Sequence, residues 1–334
     1  MTFPAIRSWS RSLLLAGLLT AGIAGTAAAD RWKCYTFVPV ATDPTFLALT
    51  QLAKDLGPAT GGDIDMTCYV GGSLPIKSQT IVQAVSDGVI QFAMANPNAL
   101  ESFTPIAGVL SLPGLFADDA ELEKGIAAAA PYVTRDLASK GVRLLAWSHF
   151  PQAAVFSTGM VASVKDMQGR KYRVSTPEQS ELLKRLGVTP VVISSPEVSS
   201  ALNTGVIEGV LTSNSGGGRA WKDLFKSTYR LGTNFTPFVF VVGAAAYDGL
   251  AEADRKALGE ATTKAAAAIT HDLVSSDEQL TQEFAAGGMT VNQPVGDEAT
   301  LVERTMRDYW DQWAAAKGPE AQEALAKIRA ALGK

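Results

Sequence analysis

A chain of 334 residues that is 47% hydrophobic and 19% charged carries the apolar content of a folded protein and length for roughly two domains, which excludes a disordered chain. Setting aside Arg7 and Arg11 at the start leaves 27 basic against 33 acidic residues, a net charge of −6, with no strongly basic window. Nucleic acid is therefore not the expected partner.

The first 29 residues, "MTFPAIRSWSRSLLLAGLLTAGIAGTAAA", place Arg7 and Arg11 ahead of an apolar run and close on small residues that fit a cleavage site at Ala27-Ala28-Ala29. The run, about 17 residues long, is marginal for spanning a bilayer, and no Cys follows it to accept a lipid. The segment reads as a cleaved signal for export, with a mature chain from Asp30.

From Arg31 the pattern alternates. "RWKCYTFVPV" reads as a strand, Pro44 to Leu56 as a helix, "GDIDMTCYVGG" as a strand, Lys77 to Ser86 as a helix and "GVIQFAMAN" as a strand. This βαβαβ order predicts a parallel sheet with helices on its faces. Cys34 and Cys68 fall in the first two strands; in an exported chain they bridge neighbouring strands or stay as two buried thiols. A Pro-punctuated connection, "SFTPIAGVLSLPGLF", leads to a helix over Asp118 to about Lys140 and to the strands "VRLLAWSHF" and "AAVFSTG", which meet at Pro151.

A second set follows: "KYRVS" as a strand, Pro177 to Leu186 as a helix, "VTPVVIS" as a strand, Pro196 to Asn203 as a helix and "GVIEGVLTSN" as a strand. Ser195 is placed to accept a hydrogen bond from an early helical N–H, and Pro196 suits the first helical position. The stretch "SDGVIQFAMANP" (Ser86 to Pro97) returns in blurred form as "NTGVIEGVLTSN" (Asn203 to Asn214), with Gly88 and Gly205 where a helix stops and φ turns positive. Two similar α/β lobes are expected, each with its own sheet. Ligands of open α/β sheets sit outside the carboxyl ends of the strands, so the loops at Asn96 and Asn214 can line one cleft.

After Gly232, "FTPFVFVVGAAAY" reads as one long strand. Ala251 to about Ala286 reads as one extended helix, apolar at Ala257, Leu258, Ala261, Ala265, Ile269 and Leu273. At 1.5 Å per residue that helix exceeds roughly 50 Å, enough to brace both lobes. An amphipathic helix from Asp297 onward completes the chain.

Signs of catalysis are missing: the histidines are His149 and His271 alone, and no H-E-x-x-H, G-x-S-x-G or C-x-x-C occurs. "GGSLP" and "SGGG" lack the G-K-[ST] of a phosphate loop, and no cluster demands a metal ion. Neither an enzyme nor a cofactor is expected. In "KYRVS", Arg173 shares a face with Lys171, opposite Tyr172 and Val174, near the carboxyl end of a strand expected to be buried. A buried guanidinium needs an anion, either a ligand carboxylate gripped by its fork or a structural Asp or Glu.

The segment "VKDMQGRKYRVSTPEQSELLKRLGVTPVVISSPEVSSALNTGVIEGV" resembles the central motif of the extracytoplasmic solute-binding proteins of TRAP transporters, the DctP family. That family reads "D-L-K-G-K-x-R", then "L-G-A-x-P-V", then a helix and "G-x-V-D-G". In the first lobe "GGSLPIKSQTIVQAVSDGVIQFAM" and "SLPGLF" are similar to its "G-x-L-G", "G-x-x-D-x" and "L-P-F-L-F" positions. The resemblance implies an α/β, two-lobed periplasmic binding protein, a clamshell with a long bracing helix. Residues 30–150 and about 240–270 would form lobe 1, and 151–239 with about 271–334 lobe 2.

It further implies a periplasmic receptor that closes on a small organic acid and delivers it to a TRAP membrane permease, with a monomer as the default for a receptor that must diffuse. A ligand sensor docking on a membrane receptor kinase is the alternative on the same fold. The family's ligand-pairing arginine falls on Arg173; Thr42, Gly72, Ser73 and Asn96 would approach the ligand from the first lobe, and Trp147 and Phe150 from the hinge side. One departure stands out. Where many members read "D-G-Q-E-N-P", this chain reads "EGVLTSNSGGGRAW", so Leu211 and Thr212 replace a polar pair and Asn214, Arg219 and Trp221 become the second-lobe candidates. That loop points away from a plain C4-dicarboxylate.

Overall fold

Alternation of short β-branched and aromatic runs with amphipathic helices gives the chain two sheets. The computed structural model describes residues 31–334, so the expected signal segment and its cleavage point lie outside the described residues. The first stretch holds β1 (Trp32–Thr36), α1 (Pro44–Ala59), β2 (Met66–Tyr69), α2 (Ile81–Ser86), β3 (Phe92–Ala95), α3 (Pro97–Phe103), α4 (Asp119–Ser139) and β4 (Val142–Phe150). The second holds β5 (Ala154–Ser157), β6 (Lys171–Val174), α5 (Pro177–Arg185), β7 (Thr189–Val192), α6 (Val198–Asn203), β8 (Gly209–Thr212) and β9 (Ser227–Tyr229). Then come β10 (Thr236–Gly243), α7 (Ala244–Asp248), α8 (Glu252–Ser275), α9 (Asp277–Ala286), β11 (Thr290–Asn292), α10 (Leu301–Lys317) and α11 (Pro319–Leu332).

The strand orders are β2-β1-β3-β10-β4 and β11-β9-β5-β8-β6-β7. Read from β7 inward, the second sheet repeats the first: β6 pairs in parallel with β7 and β8 as β1 does with β2 and β3, and β5 lies antiparallel to β8 as β10 does to β3. The internal repeat is thus a structural repeat. Gly88 and Gly205 both have φ of +71°, each ending the helix that feeds the inner strand. Cys34 and Cys68 face each other in register on β1 and β2 and are joined by a disulfide.

Two strand pairs cross between the sheets. β4 runs through Pro151 into β5 while β9 runs back into β10, and the antiparallel ladder joining Thr236 to Phe150 and Gly243 to Val142 continues at the crossing through Ala153 N–H to Asn234 O and Thr233 N–H to Ala153 O, both 2.8 Å. Phe238, Phe240 and Val241, fully buried on β10, fill the first sheet's core.

Several elements depart from the sequence reading for identifiable reasons. The single long helix over Ala251 to Ala286 is two, α8 and α9, interrupted at Ser276 where Asp277 turns to pair with Arg230. Between them they do the bracing: α8 packs on α1 and β4, α9 on β11 and the turn after β8. The "GAAAY" end of the expected strand is helical α7, because Ala propensity prevails once the sheet ends. The Pro-rich connection contains α3, capped by Asn96 with Pro97 at its first position. Gly318, at φ +101°, and Pro319 split the C-terminal helix into α10 and α11.

That reversal changes where the tail belongs. α10 buries Val302, Met306, Trp310 and Trp313 on one stripe, with Trp310 donating to Pro113 O at 2.9 Å, and α11 packs against α4. The segment 271–334, expected wholly in the second lobe, therefore divides: α9 and β11 join the second sheet, α10 spans both halves, and α11 covers the first.

At this seam Glu101 of α3 and Glu178 of α5 meet in the interior, with Trp313 Nε1 donating to Glu178 Oε1 at 2.8 Å. Burial pushes the Glu101 carboxyl well above the usual range, reinforced by the neighbouring Glu178, against weaker pulls from Ser111 and Lys317.

Two outcomes are expected. Removing the disulfide by Cys34→Ala with Cys68→Ala frees the unfolded chain and lowers unfolding free energy by about 2–4 kcal/mol in denaturant titrations; no difference from the oxidised wild type would contradict a formed bond. The unfolded state ionises Glu101 near about pH 4.3 while the fold keeps it neutral, so its contribution is complete below that pH and is lost as pH rises. Glu101→Gln, which cannot ionise, should gain melting temperature over the wild type progressively as pH rises above that value. A pH-independent difference would refute the raised Glu101 pKa.

Candidate functional site

The carboxyl ends of the parallel strands of both sheets open onto one cleft of about 690 Å3 of empty space, its mouth included. Phe37, Val38, Pro39 and Asp43 reach it from the loop after β1, and Asn96 and Pro97 from the end of β3. From the second sheet come Arg173 within β6 and Ser175 just after it, Ser195 after β7, and Leu211, Thr212 and Ser213 at the end of β8. Phe150 and Thr236 line it from the crossing strands.

Arg173 is the charged group buried deepest in this cleft. Its side chain is 5% exposed, with Nε donating to Ile193 O at 3.0 Å and Nη2 to Ser195 Oγ at 3.3 Å. Among the described residues no carboxylate comes within ion-pair distance, and no hydrogen bond engages Nη1. Burial lowers its pKa to about 10, which leaves it cationic at neutral pH. The structural Asp or Glu partner left open by the sequence is not there. Two contacts hold Nε and Nη2, and the residue lines the cavity with Nη1 unengaged, an arrangement suited to a carboxylate.

Apolar surface surrounds that charge. Phe37 meets Phe150 edge-on at 6.3 Å, and Phe150 stacks at 5.1 Å on Phe238, forming an aromatic wall. Trp221 closes the opposite side over Gly217, whose added Cβ would sit 2.2 Å from the indole. The "SGGG" run is thus a tight turn of π-helical pitch, Asn214–Gly218, with Gly216 N–H bonded to Ser213 Oγ and Gly217 N–H to Thr212 Oγ1. Asn96 Oδ1 caps α3 by accepting from Ala99 N–H at 3.0 Å, leaving its amide donors on the cleft side.

Of the residues expected from sequence, Arg173, Asn96, Phe150 and Trp221 line this cleft, and the others stand elsewhere. Thr42 is exposed, one position before the residue that turns inward. Gly72 donates its N–H to the Tyr35 hydroxyl and Ser73 Oγ donates to Val70 O; a Cβ on Gly72 would lie 3.1 Å from Pro196 of the other lobe. Trp147 is an odd number of positions from Phe150 on β4, so the pleat turns it to the far face, into a groove beside α8 and α4. His149 points the same way and bonds Asp119 at 3.0 Å.

Asn214 is spent on structure: it donates to Asp277 O and Thr281 Oγ1 and accepts from Arg230, tying the turn to α9. Arg219 donates to Ser215 O and lines a small cavity with Pro44 and Asp272 behind the cleft. Ser194, not Ser195, caps the following helical turn through a capping box with Glu197, which frees Ser195 for Arg173. Sequence reasoning passed over Asp43 and Phe37. Asp43 was legible as an N-cap before Pro44; Phe37 carried no signal beyond its place at a strand end.

A profile of the bacterial extracellular solute-binding proteins, family 7, DctP, matches residues 37–317. The chain belongs to the DctP family. A solute-binding protein of Chromohalobacter salexigens is 26% identical over 333 residues, 95% of this chain and 94% of the relative. The ectoine/5-hydroxyectoine-binding periplasmic protein UehA of Ruegeria pomeroyi is 29% identical over 276 residues, 78% of this chain and 77% of its own. DctP7 of Bordetella pertussis, an extracytoplasmic solute receptor whose crystal structure binds pyroglutamic acid, superposes with a TM-score of 0.84 over 90% of this chain and all of its own, at 24% identity. DctP proteins are TRAP solute receptors with a two-lobed fold, not enzymes.

Gly217→Ala is expected to crowd the Trp221 indole and lower unfolding free energy by about 1–3 kcal/mol in urea titrations. Unchanged stability would mean that the turn is slack and Trp221 free to move.

Proposed function

We propose that this DctP protein is a periplasmic, monomeric receptor that closes on a small organic acid and delivers it to the permease of a TRAP transporter, after cleavage of its leader near Ala29. The observation that carries the ligand class is Arg173, a cation held almost wholly out of water in the cleft with no anion beside it among the described residues. A buried guanidinium left uncompensated is costly, and a ligand carboxylate relieves that cost. Asn96, Ser195, Phe150 and Trp221 are the further contacts, together with Asp43 and Phe37, which the sequence reading passed over. UehA and DctP7 carry the names of compact acids, ectoine and pyroglutamic acid, which fits this class. Among the described residues no helix is long and apolar enough to cross a membrane, consistent with a partner that supplies the membrane part. No feature of the cleft calls for a receptor kinase as that partner.

Closure follows from differential affinity. The cleft is lined from both lobes, so a ligand touches its full set of partners only when the lobes meet, and it shifts the equilibrium by as much as it prefers that state. Arg173→Ala should weaken binding of the cognate acid at least tenfold, about 1.4 kcal/mol, in titration calorimetry. Arg173→Lys, which keeps the charge but not the fork, should recover only part of the loss. A folded Arg173→Ala protein that binds acids like the wild type would sink the carboxylate reading.

A further inference from the structure

The cleft carries a second charged group that a plain carboxylate would not use. Asp43 ends the loop after β1, on the first lobe, and its side chain is 10% exposed. Its Oδ1 accepts from Thr45 N–H at 2.8 Å as the N-cap of α1, which fixes the orientation of the carboxylate. Among the described residues Oδ2 receives no hydrogen bond. The nearest cation, Arg219 Nη2, stands 3.9 Å away, beyond hydrogen-bond distance, and donates instead to Ser215 O at 3.0 Å. One cavity therefore presents a positive group from the second lobe and a negative one from the first, with the rings of Phe37, Phe150 and Trp221 lining it as well.

We propose that the ligand is an acid that also bears a nitrogen donor, a protonated amine or a ring N–H, received by Asp43 Oδ2 while its carboxylate rests on Arg173. The inference rests on the carboxylate reading and adds to it the polarity of the ligand's other end. A dicarboxylate would set like charge against Asp43, and an isostere without the N–H would leave a mostly buried acceptor unmet; both are forms of rejection that polar sites achieve far better than apolar ones. Because Asp43 and Arg173 belong to different lobes, a ligand of this kind also joins the lobes through its two ends.

The test is calorimetric titration of protein refolded after denaturation to remove any carried ligand. The probes are nitrogen-bearing ring acids (proline, pipecolate and 5-oxoproline), the donor-free isosteres tetrahydrofuran-2-carboxylate and cyclopentanecarboxylate, and succinate. Wild type should bind at least one nitrogen acid tenfold or more tighter than every donor-free acid and succinate. In Asp43→Asn, where Asn still caps α1, that ratio should collapse to within about threefold. Succinate or a donor-free acid binding as tightly as the nitrogen acids overturns the inference, as does an unchanged ratio in Asp43→Asn. Arg173→Ala separates the two ideas: acids that bind through Arg173 without preference for nitrogen defeat this inference alone, whereas acids indifferent to Arg173, or no binding by any probe, defeat the carboxylate reading with it.

Discussion

Everything about the cleft depends on the antiparallel ladder that carries β4 into β5 and β9 into β10. Each sheet alone would be an open α/β layer with its strand ends in water. The crossing at Ala153, Thr233 and Asn234 joins the layers so that the carboxyl ends of β1 and β3 face those of β6, β7 and β8. A continuous backbone ladder resists shear but tolerates twist at a point where few bonds are made, which is the property a hinge requires. Gln179 and Asn234 add a buried side-chain bond beside the crossing, and Thr233 bonds both Asn234 and Ala153 O, so the polar backbone there is satisfied without filling the cleft.

Placement decides the electrostatics. A guanidinium on a surface strand would find water or a flexible carboxylate; at the buried end of β6 Arg173 finds only Ile193 O and Ser195 Oγ, two neutral acceptors. The desolvation that lowers its pKa is the same energy that makes an incoming anion welcome. Selectivity then comes from what surrounds it. The rings of Phe37 and Phe150, backed by Phe238, wall one side of the cleft, and the glycine turn lets Trp221 press in from the other lobe.

How far this was readable from the sequence varies with the kind of signal. The repeated corner was plain because a helix stop at positive φ leaves a glycine, and two such glycines in the same context, Gly88 and Gly205, expose the duplication. Arg173 was legible for a similar reason: a charge in an otherwise apolar strand is out of place unless something pairs it. Trp147 and Phe150 were harder, since naming both ignored the pleat, which sends odd and even positions of β4 to opposite faces. Asn214 was misleading. Its place matches Asn96 in the repeat, yet Arg230 and Asp277, distant in sequence, claim its side chain. Ser276 breaks a helix that local propensity would continue, because Asp277 is required by a partner 47 positions away. Errors of this kind arise wherever a tertiary contact outbids a local preference, and no window of sequence contains the contact.

The direct contacts across the cleft itself are few and weak, and this bears on how the receptor would work. Ser194 Oγ donates to Gln79 Oε1 at 3.0 Å, Gly72 approaches Pro196, and Arg219 stands 3.9 Å from Asp43. A neutral hydrogen bond adds about 0.5–1.5 kcal/mol net, and an ion pair with solvent access adds about 0–1 kcal/mol. Ligand at a hundred times its dissociation constant adds about 2.7 kcal/mol, more than any one of these. Were the two rims of the cleft held together by an apolar interface of their own, occupancy would change little in their balance and a membrane partner could not tell a loaded receptor from an empty one. With thin contacts across the cleft and a buried, anion-seeking charge inside it, the ligand itself becomes the principal term that decides whether the lobes stay together.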